Sequence, residues 1–208
     1  MDDSTNMILQ EIADSLFCMD STNPIIKLRN KNFEDRTLWL DLEIGIDAYE
    51  YAKQIVRWNI EDKNIPIEKR KPIRLYFFNF GGSEAICNMI VDIIKASKTP
   101  VYGYNMGTCA SAAFWIFIVC HKRYMMEDAT VLIHDGTVSV EGTGHKAIDS
   151  MREYEKVLKK MFNKIIANTK IDEKTLEEKF KDEWSISSDE CLKYGICDKI
   201  IESLDELI

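Results

Sequence analysis

Residues 73–120 read IRLYFFNFGGSEAICNMIVDIIKASKTPVYGYNMGTCASAAFWIFIVC, and this stretch decides the fold. Ile73 to Phe80 is an apolar and aromatic run stopped by Gly81-Gly82, as expected of a buried strand entering a sharp turn. From Glu84 to Ser97, Ala85, Ile86, Met89, Ile90, Ile93 and Ile94 recur on one helical face. Pro100 introduces a second strand, Val101 to Met106, which Gly107 breaks. Ala110 to Cys120 is apolar all round, the pattern of a helix with no solvent face. Strand, helix, strand, helix predicts an α/β protein with parallel strands and right-handed crossovers.

The flanks extend the same texture. Downstream, Thr130 to His134 (TVLIH) reads as a third strand, and Lys146 to Asn168 as a long amphipathic helix. Its stripe is Ile148, Met151, Leu158, Met161, Ile165 and Ile166, which suits an intramolecular core or a contact between subunits. Ser187 and Glu190 have capping-box spacing for a short helix ended by Gly195. Upstream, Arg36 to Leu42 (RTLWLDL) reads as a strand, and Asp47 to Asn59 as a helix capped by Asp47. A polar loop, residues 61–72, follows it. The first 30 residues are polar with weak periodicity and read as an arm or a frayed helix. The expected organisation is an arm, 1–30, and one domain, 31–208.

Composition sets bounds. The chain has 208 residues, enough for one domain with a sizeable core, and 46% of them are apolar. With 10% aromatic and 30% charged residues it is neither disordered nor low-complexity. A net charge of −8 argues against nucleic acid or an anionic membrane as partner. No run of about 18 apolar residues predicts a membrane span. The acidic start lacks signal-peptide character, so a cytoplasmic location is expected. The six cysteines form no C-x-x-C pair and no zinc-finger spacing, so reduced, mostly buried thiols are expected, with no metal and no cofactor.

Three features can carry chemistry. Gly81-Gly82 end a strand where parallel sheets bind ligands, and a tight turn there leaves N–H groups open to an oxyanion. The other reading is a plain turn. Ser111 opens the apolar helix among Ala110, Ala112 and Ala113, which leave room for a substrate. It suits a nucleophile or a simple helix cap. His134 ends the strand TVLIH and could lie beside Ser111 across adjacent strand ends. Of the other two histidines, His121 lies in the basic HKR stretch and His145 beside Gly142 and Gly144, both read as solvent-facing.

Together these residues resemble the Clp protease proteolytic subunit, from about Arg36 to Ile201. Asn79-Phe80-Gly81-Gly82 is similar to the family's N-S-P-G-G, one residue shorter. Residues 107–114, GTCASAAF, resemble its G-x-x-A-S-x-G-A turn, and Leu132-Ile133-His134-Asp135 its M-I-H-Q. Glu190 to Asp198 (ECLKYGICD) resembles its E-A-x-x-Y-G-x-x-D. The resemblance implies a ClpP/crotonase-type α/β fold, with repeated β-β-α units, a mainly parallel sheet and a protruding long helix. It implies a serine endopeptidase with Ser111 as nucleophile and His134 as base. Ala112 with Gly81 or Gly82 would form the oxyanion hole. It further implies stacked seven-membered rings joined through the 146–168 helix, peptide or unfolded-protein substrates, and an AAA+ unfoldase partner.

The acid that orients the histidine depends on register. Counting forward from Leu176-Glu177-Glu178 it falls on Asp182, and counting back from Tyr194-Gly195 it falls on Lys179. A lysine cannot orient a histidine, so Asp182 is expected, with Glu183 the alternative. Phe80 and Ala113 stand where the family has proline and glycine. Residues 135–142 replace its glycine-rich stretch beside the substrate, where a strand could pair with an extended peptide. Two other functions stay open: an inactive scaffold subunit of a mixed ring, and an acyl-CoA enzyme on the related crotonase fold.

Overall fold

A computed structural model describes residues 24–136, 139–180 and 183–207. The chain falls into two units, 1–38 and 39–208. Helix α1, Pro24–Glu34, belongs to the first, and most of the expected arm lies outside the described residues. Strand β1, Thr37–Leu40, runs across the boundary. The second unit carries α2 (Ile46–Glu61), β2 (Ile73–Asn79), α3 (Glu84–Ala96), β3 (Val101–Ala110), α4 (Ala112–Phe117), β4 (Lys122–Met126) and β5 (Thr130–Ile133). There follow α5 (Gly144–Asn168), α6 (Glu173–Lys179), β6 (Trp184–Ser187), α7 (Ser188–Lys193) and β7 (Lys199–Ile201).

The seven strands form one sheet in the order β1-β2-β3-β4-β7, with β5 attached to β3 and β6 to β5. The pairs β2–β3, β3–β4, β3–β5 and β4–β7 are parallel, and only β5–β6 of the registered pairs is antiparallel. The expected mainly parallel α/β sheet is therefore what the chain forms.

One correction decides where the site sits. Gly107 does not end the second strand: β3 runs on to Ala110 through an irregularity opposite Phe77–Asn79. Before it, Tyr102 to Asn105 pair with β4; after it, Thr108 to Ala110 pair with β5. Asn105 fastens the change of partner, accepting from the Gly107 N–H at 3.2 Å and donating to the Thr130 carbonyl at 2.9 Å. A Cβ at Gly107 would fall 2.9 Å from the Phe78 ring, so only glycine passes there without displacement.

The core explains why these segments fold. Helix α4 buries all six of its residues, AAFWIF, between the sheet and α3, whose Cys87, Ile90, Val91 and Ile94 are buried. Phe77 on β2 meets Phe117 edge to face at 5.6 Å. Each such fully buried side chain contributes about 1.5–3 kcal/mol. On the sheet, Trp39, Tyr76, Tyr104 and Tyr124 stack in sequence, with ring centroids 4.7, 4.9 and 4.9 Å apart.

Smaller expectations are corrected by cap geometry and burial. The residue before α2 is Gly45, with Asp47 inside the first turn. Helix α4 is shorter than the apolar run, because Ser111 turns the chain and residues after Phe117 leave the helix. Strands β4, β6 and β7 and helix α6 are not expected from the sequence pattern. The Ser187–Glu190 capping box is present. Helix α5 has 25 residues, yet among the described residues only Ile165 of it is buried, so most of its stripe is left uncovered within the chain. Ile148 and Met151 stand 52% and 46% exposed. Among the described residues no helix is long and apolar enough to cross a membrane.

Candidate active site

Ser111 joins β3 to α4 with φ 54° and ψ −124°. A non-glycine residue in that region costs about 1–3 kcal/mol and persists only where its surroundings force it. Here they do. The Ser111 N–H donates to the Leu132 carbonyl at 3.0 Å, and its own carbonyl accepts from Phe114 at 3.0 Å. Its side chain makes no capping hydrogen bond, so the helix-cap reading leaves the hydroxyl unexplained.

Gly81 presses on this turn from β2. Its φ is 110°, and a Cβ there would lie 2.8 Å from Ser111 Cβ and 3.1 Å from the Ala112 nitrogen. Asn79, 2% exposed, holds the glycine turn. Its Nδ2 donates to the Leu42 and Leu40 carbonyls at 2.5 and 3.3 Å, and its Oδ1 accepts the Gly81 N–H at 2.8 Å. The Gly81 N–H is thus already used. Among the described residues, the Gly82 and Ala112 N–H groups meet no acceptor. Of the two glycines, it is Gly82 that lines the cleft beside Ser111.

His134 follows β5. The pair Ala110↔Leu132 sets the ends of β3 and β5 side by side, so Ser111 and His134 emerge at the same edge. Both line one cleft of about 200 Å³, together with Gly82, Ala112, Asp135 and Gly136. Among the described residues no hydrogen bond joins Ser111 to His134, and His134 meets no carboxylate. Catalytic hydrogen bonds are often open in a free enzyme and close when substrate binds.

Asp182 lies outside the described residues. Its neighbour Glu183 is described and exposed. The antiparallel register Ile133↔Trp184, carried one step further, sets Glu183 opposite His134. Lys179, the ungapped alternative, ends α6 before this segment begins.

The remaining histidines do other things. His121 Nδ1 accepts the Val101 N–H at 3.0 Å and its N–H donates to the Val101 carbonyl at 2.8 Å, tying the starts of β3 and β4. His145 lies exposed in the first turn of α5. Cys87, Cys109, Cys120, Cys191 and Cys197 are free and buried; Cys18 lies outside the described residues. Burial pushes the Cys87 thiol up to about 12, so it stays protonated and donates to the Ala112 carbonyl at 3.1 Å. Among the described residues no cluster could hold a metal ion.

Sequence reasoning missed the far wall of the cleft. Tyr154, Met161 and Lys164 of α5 line it, and the Tyr154 hydroxyl donates to the Asp135 carbonyl. Burial first, then the Asp135 and Glu84 charges, raise that phenol above its usual value. The spacing 154, 161, 164 is a helical face, of which Met161 alone falls on the apolar stripe read for α5. As an ensemble, a hydroxyl at a strained turn, an imidazole and two open N–H groups around one cleft suit acyl transfer.

Comparison with known proteins agrees with that class. A sequence model of the Clp protease family matches residues 23–204. The ATP-dependent Clp protease proteolytic subunit 2 of Treponema pallidum is 29% identical over 180 residues, 85% of this chain and 87% of that protein. The ATP-dependent Clp protease proteolytic subunit of Paracoccus denitrificans is 30% identical over 142 residues, 66% of this chain and 70% of that one. A solved structure of a ClpP1 mutant from Listeria monocytogenes shares the fold, with a TM-score of 0.71 at 23% identity, covering 87% of this chain and 99% of that one.

Proposed function

The chain belongs to the Clp protease family, and on that premise we propose that it is a serine endopeptidase. It would cleave peptides or unfolded proteins inside an oligomeric chamber fed by an ATP-dependent unfoldase. The observation that carries the reading is Ser111, held at φ 54° beneath Gly81 and opening into the cleft that His134 lines.

The reaction follows from these groups. His134 takes the proton of the Ser111 hydroxyl as Oγ attacks the scissile carbonyl carbon. The carbonyl oxygen, now negative, accepts from the Gly82 and Ala112 N–H groups, and such preorganised donors supply much of the rate. The tetrahedral adduct expels the amine, which receives the proton from His134. Water, activated by the same imidazole, then releases the acyl group and restores Ser111. Asp182, or Glu183 one residue on, would hold the imidazole; the β5–β6 register, carried to Glu183, supports that residue over Lys179.

The exposed stripe of α5 supports a role for residues 146–168 as a contact between rings, with 31–208 as one peptidase domain. Labelling of the purified protein by a fluorophosphonate tests the reading. Label should enter the wild type and be lost in S111A at unchanged circular dichroism. A wild type that never labels, in any assembly it forms, would overturn it. One observation favours a second reading, a scaffold subunit of a mixed ring: no carboxylate among the described residues reaches His134. In that case the chain assembles with an active partner and S111A changes nothing.

A further inference from the structure

The cleft beside Ser111 has a charged wall that the reaction itself does not use. Along α3 and α5, Lys164 Nζ donates to Asn88 Oδ1 at 3.0 Å, and Asn88 Nδ2 donates to Glu84 Oε1 at 3.2 Å. Ammonium, amide and carboxylate therefore run in line along one side of the cleft. The positive end is the inner one: Lys164 is half-buried, whereas Glu84 is exposed. The Cys87 thiol, in the same wall, also feels the Lys164 charge more strongly than that of Glu84. An ammonium has three hydrogens to donate. Among the described residues that of Lys164 meets no acceptor but Asn88.

Substrate geometry brings a side chain to this wall. The residue whose carbonyl is attacked has its Cα bonded to the carbon that Ser111 reaches. Its side chain must therefore start inside the same cleft. A volume of about 200 Å³ is room for about six or seven waters, which is one side chain of moderate size. Cys87, Trp115 and Met161 offer its stem an apolar surface, and Lys164 offers its tip two free donors.

We propose that Lys164 sets the specificity of this site, selecting an acidic side chain on the acyl side of the scissile bond. The inference rests on the serine-peptidase reading. A carboxylate entering the cleft forms a charge-assisted hydrogen bond with the ammonium, while the Glu84 and Asp135 charges in the same lining are exposed and screened by solvent.

The test uses the full-length protein in the assembly it forms, with fluorogenic peptides that differ only in glutamate, glutamine or leucine at the attacked residue. Fluorophosphonate labelling is run in parallel. The readout is the ratio of kcat/KM for glutamate over leucine, which cancels differences in active fraction between variants. The wild-type ratio should exceed one, fall about tenfold in K164M, as expected for one half-exposed charged hydrogen bond, and fall further in K164E. It should also fall with added salt in the wild type, a measurement that needs no variant. A protein that labels yet prefers leucine, or keeps its ratio in both variants and in salt, overturns the role of Lys164 and leaves the serine peptidase standing. A protein that neither labels nor cleaves any peptide overturns both.

Discussion

The two sides of the cleft are built in opposite ways. Around Ser111, Asn79 bonds to two carbonyls and to the Gly81 N–H, Ser111 is tied to Leu132, and Cys87 to Ala112. Beneath it lies a helix with every residue buried. Around His134, the described neighbours Asp135, Gly136 and Glu183 are exposed, and Tyr154 supplies the tie to Asp135. The difference has a physical sense. A strained backbone angle survives only when many contacts impose it. In the proposed triad an imidazole needs only to turn into hydrogen-bond reach, and the acid proposed behind it would supply the precision.

The largest effect should therefore come from that acid. Either D182N or E183Q, and not both, should lower kcat by about 10⁴-fold with little change in KM, the cost of losing the group that fixes the histidine tautomer. Steady-state cleavage of a short peptide checks this. Equal and small losses in both variants would mean that the base side is completed by something outside this chain, which is the scaffold reading.

Two glycines compare the sides directly. Gly81 and Gly136 both have positive φ, 110° and 87°. A Cβ at Gly81 meets Ser111 Cβ at 2.8 Å, while one at Gly136 meets, among the described residues, only the Tyr154 hydroxyl, at 3.3 Å. The backbone strain is shared, so the difference in activity isolates the neighbour. G81A should lose about 10²-fold in fluorophosphonate labelling rate, as displaced reacting groups do. G136A should lose less than about tenfold, near the intrinsic cost of a side chain at positive φ.

That contrast also governs what could be read from the residues. The Ser111 side is written in local pattern: the apolar run at 73–79, the helical spacing at 84–96, and small residues around Ser111. Each of these is a short-range constraint, and each maps onto an element. Strand β4, KRYMM, escaped because its basic, half-exposed start reads as loop. Gly107 misled for a different reason, since a glycine that ends a strand and one that lets a strand slip past Phe78 look alike in sequence. The acid was least legible. The proposed acid falls where length differs from the family pattern, and the pairing of β5 with β6, which brings Glu183 toward His134, joins residues some fifty positions apart. Of the far wall only Met161 falls on the apolar stripe read for α5, and spacing alone does not say that Tyr154, Met161 and Lys164 face a cleft rather than a core.

Stability should divide in the same way. N79L keeps the shape of a buried side chain but strands the Leu40 and Leu42 carbonyls and the Gly81 N–H, and should cost about 3 kcal/mol in urea denaturation. Y154F removes one hydrogen bond, to the Asp135 carbonyl, at the half-buried edge of the cleft. About 1 kcal/mol is expected there, with cleavage reduced only a few-fold. Similar costs for the two would mean that the base side is as firmly built as the other.

The smallest effect is confined to alkaline pH. Burial raises the Cys87 thiol from its usual 9.0 to about 12, an effect that Lys164 moderates and Glu84 reinforces. Below pH 9 the thiol is protonated in both folded and unfolded chains, so its full contribution to stability is present. Above 9 the unfolded chain releases a proton that the folded chain keeps until about 12, and stability falls as pH rises through that window. By pH 10 the loss is about 1 kcal/mol. The other buried thiols add their own slopes, so the measurement is a difference. Urea denaturation of wild type and C87A at pH 8, 9 and 10 should give curves that converge as pH rises, because the alanine variant has lost one ionising group. Parallel curves would mean that water reaches Cys87 beside Ala112, and that the wall behind Ser111 is as open as the one around His134.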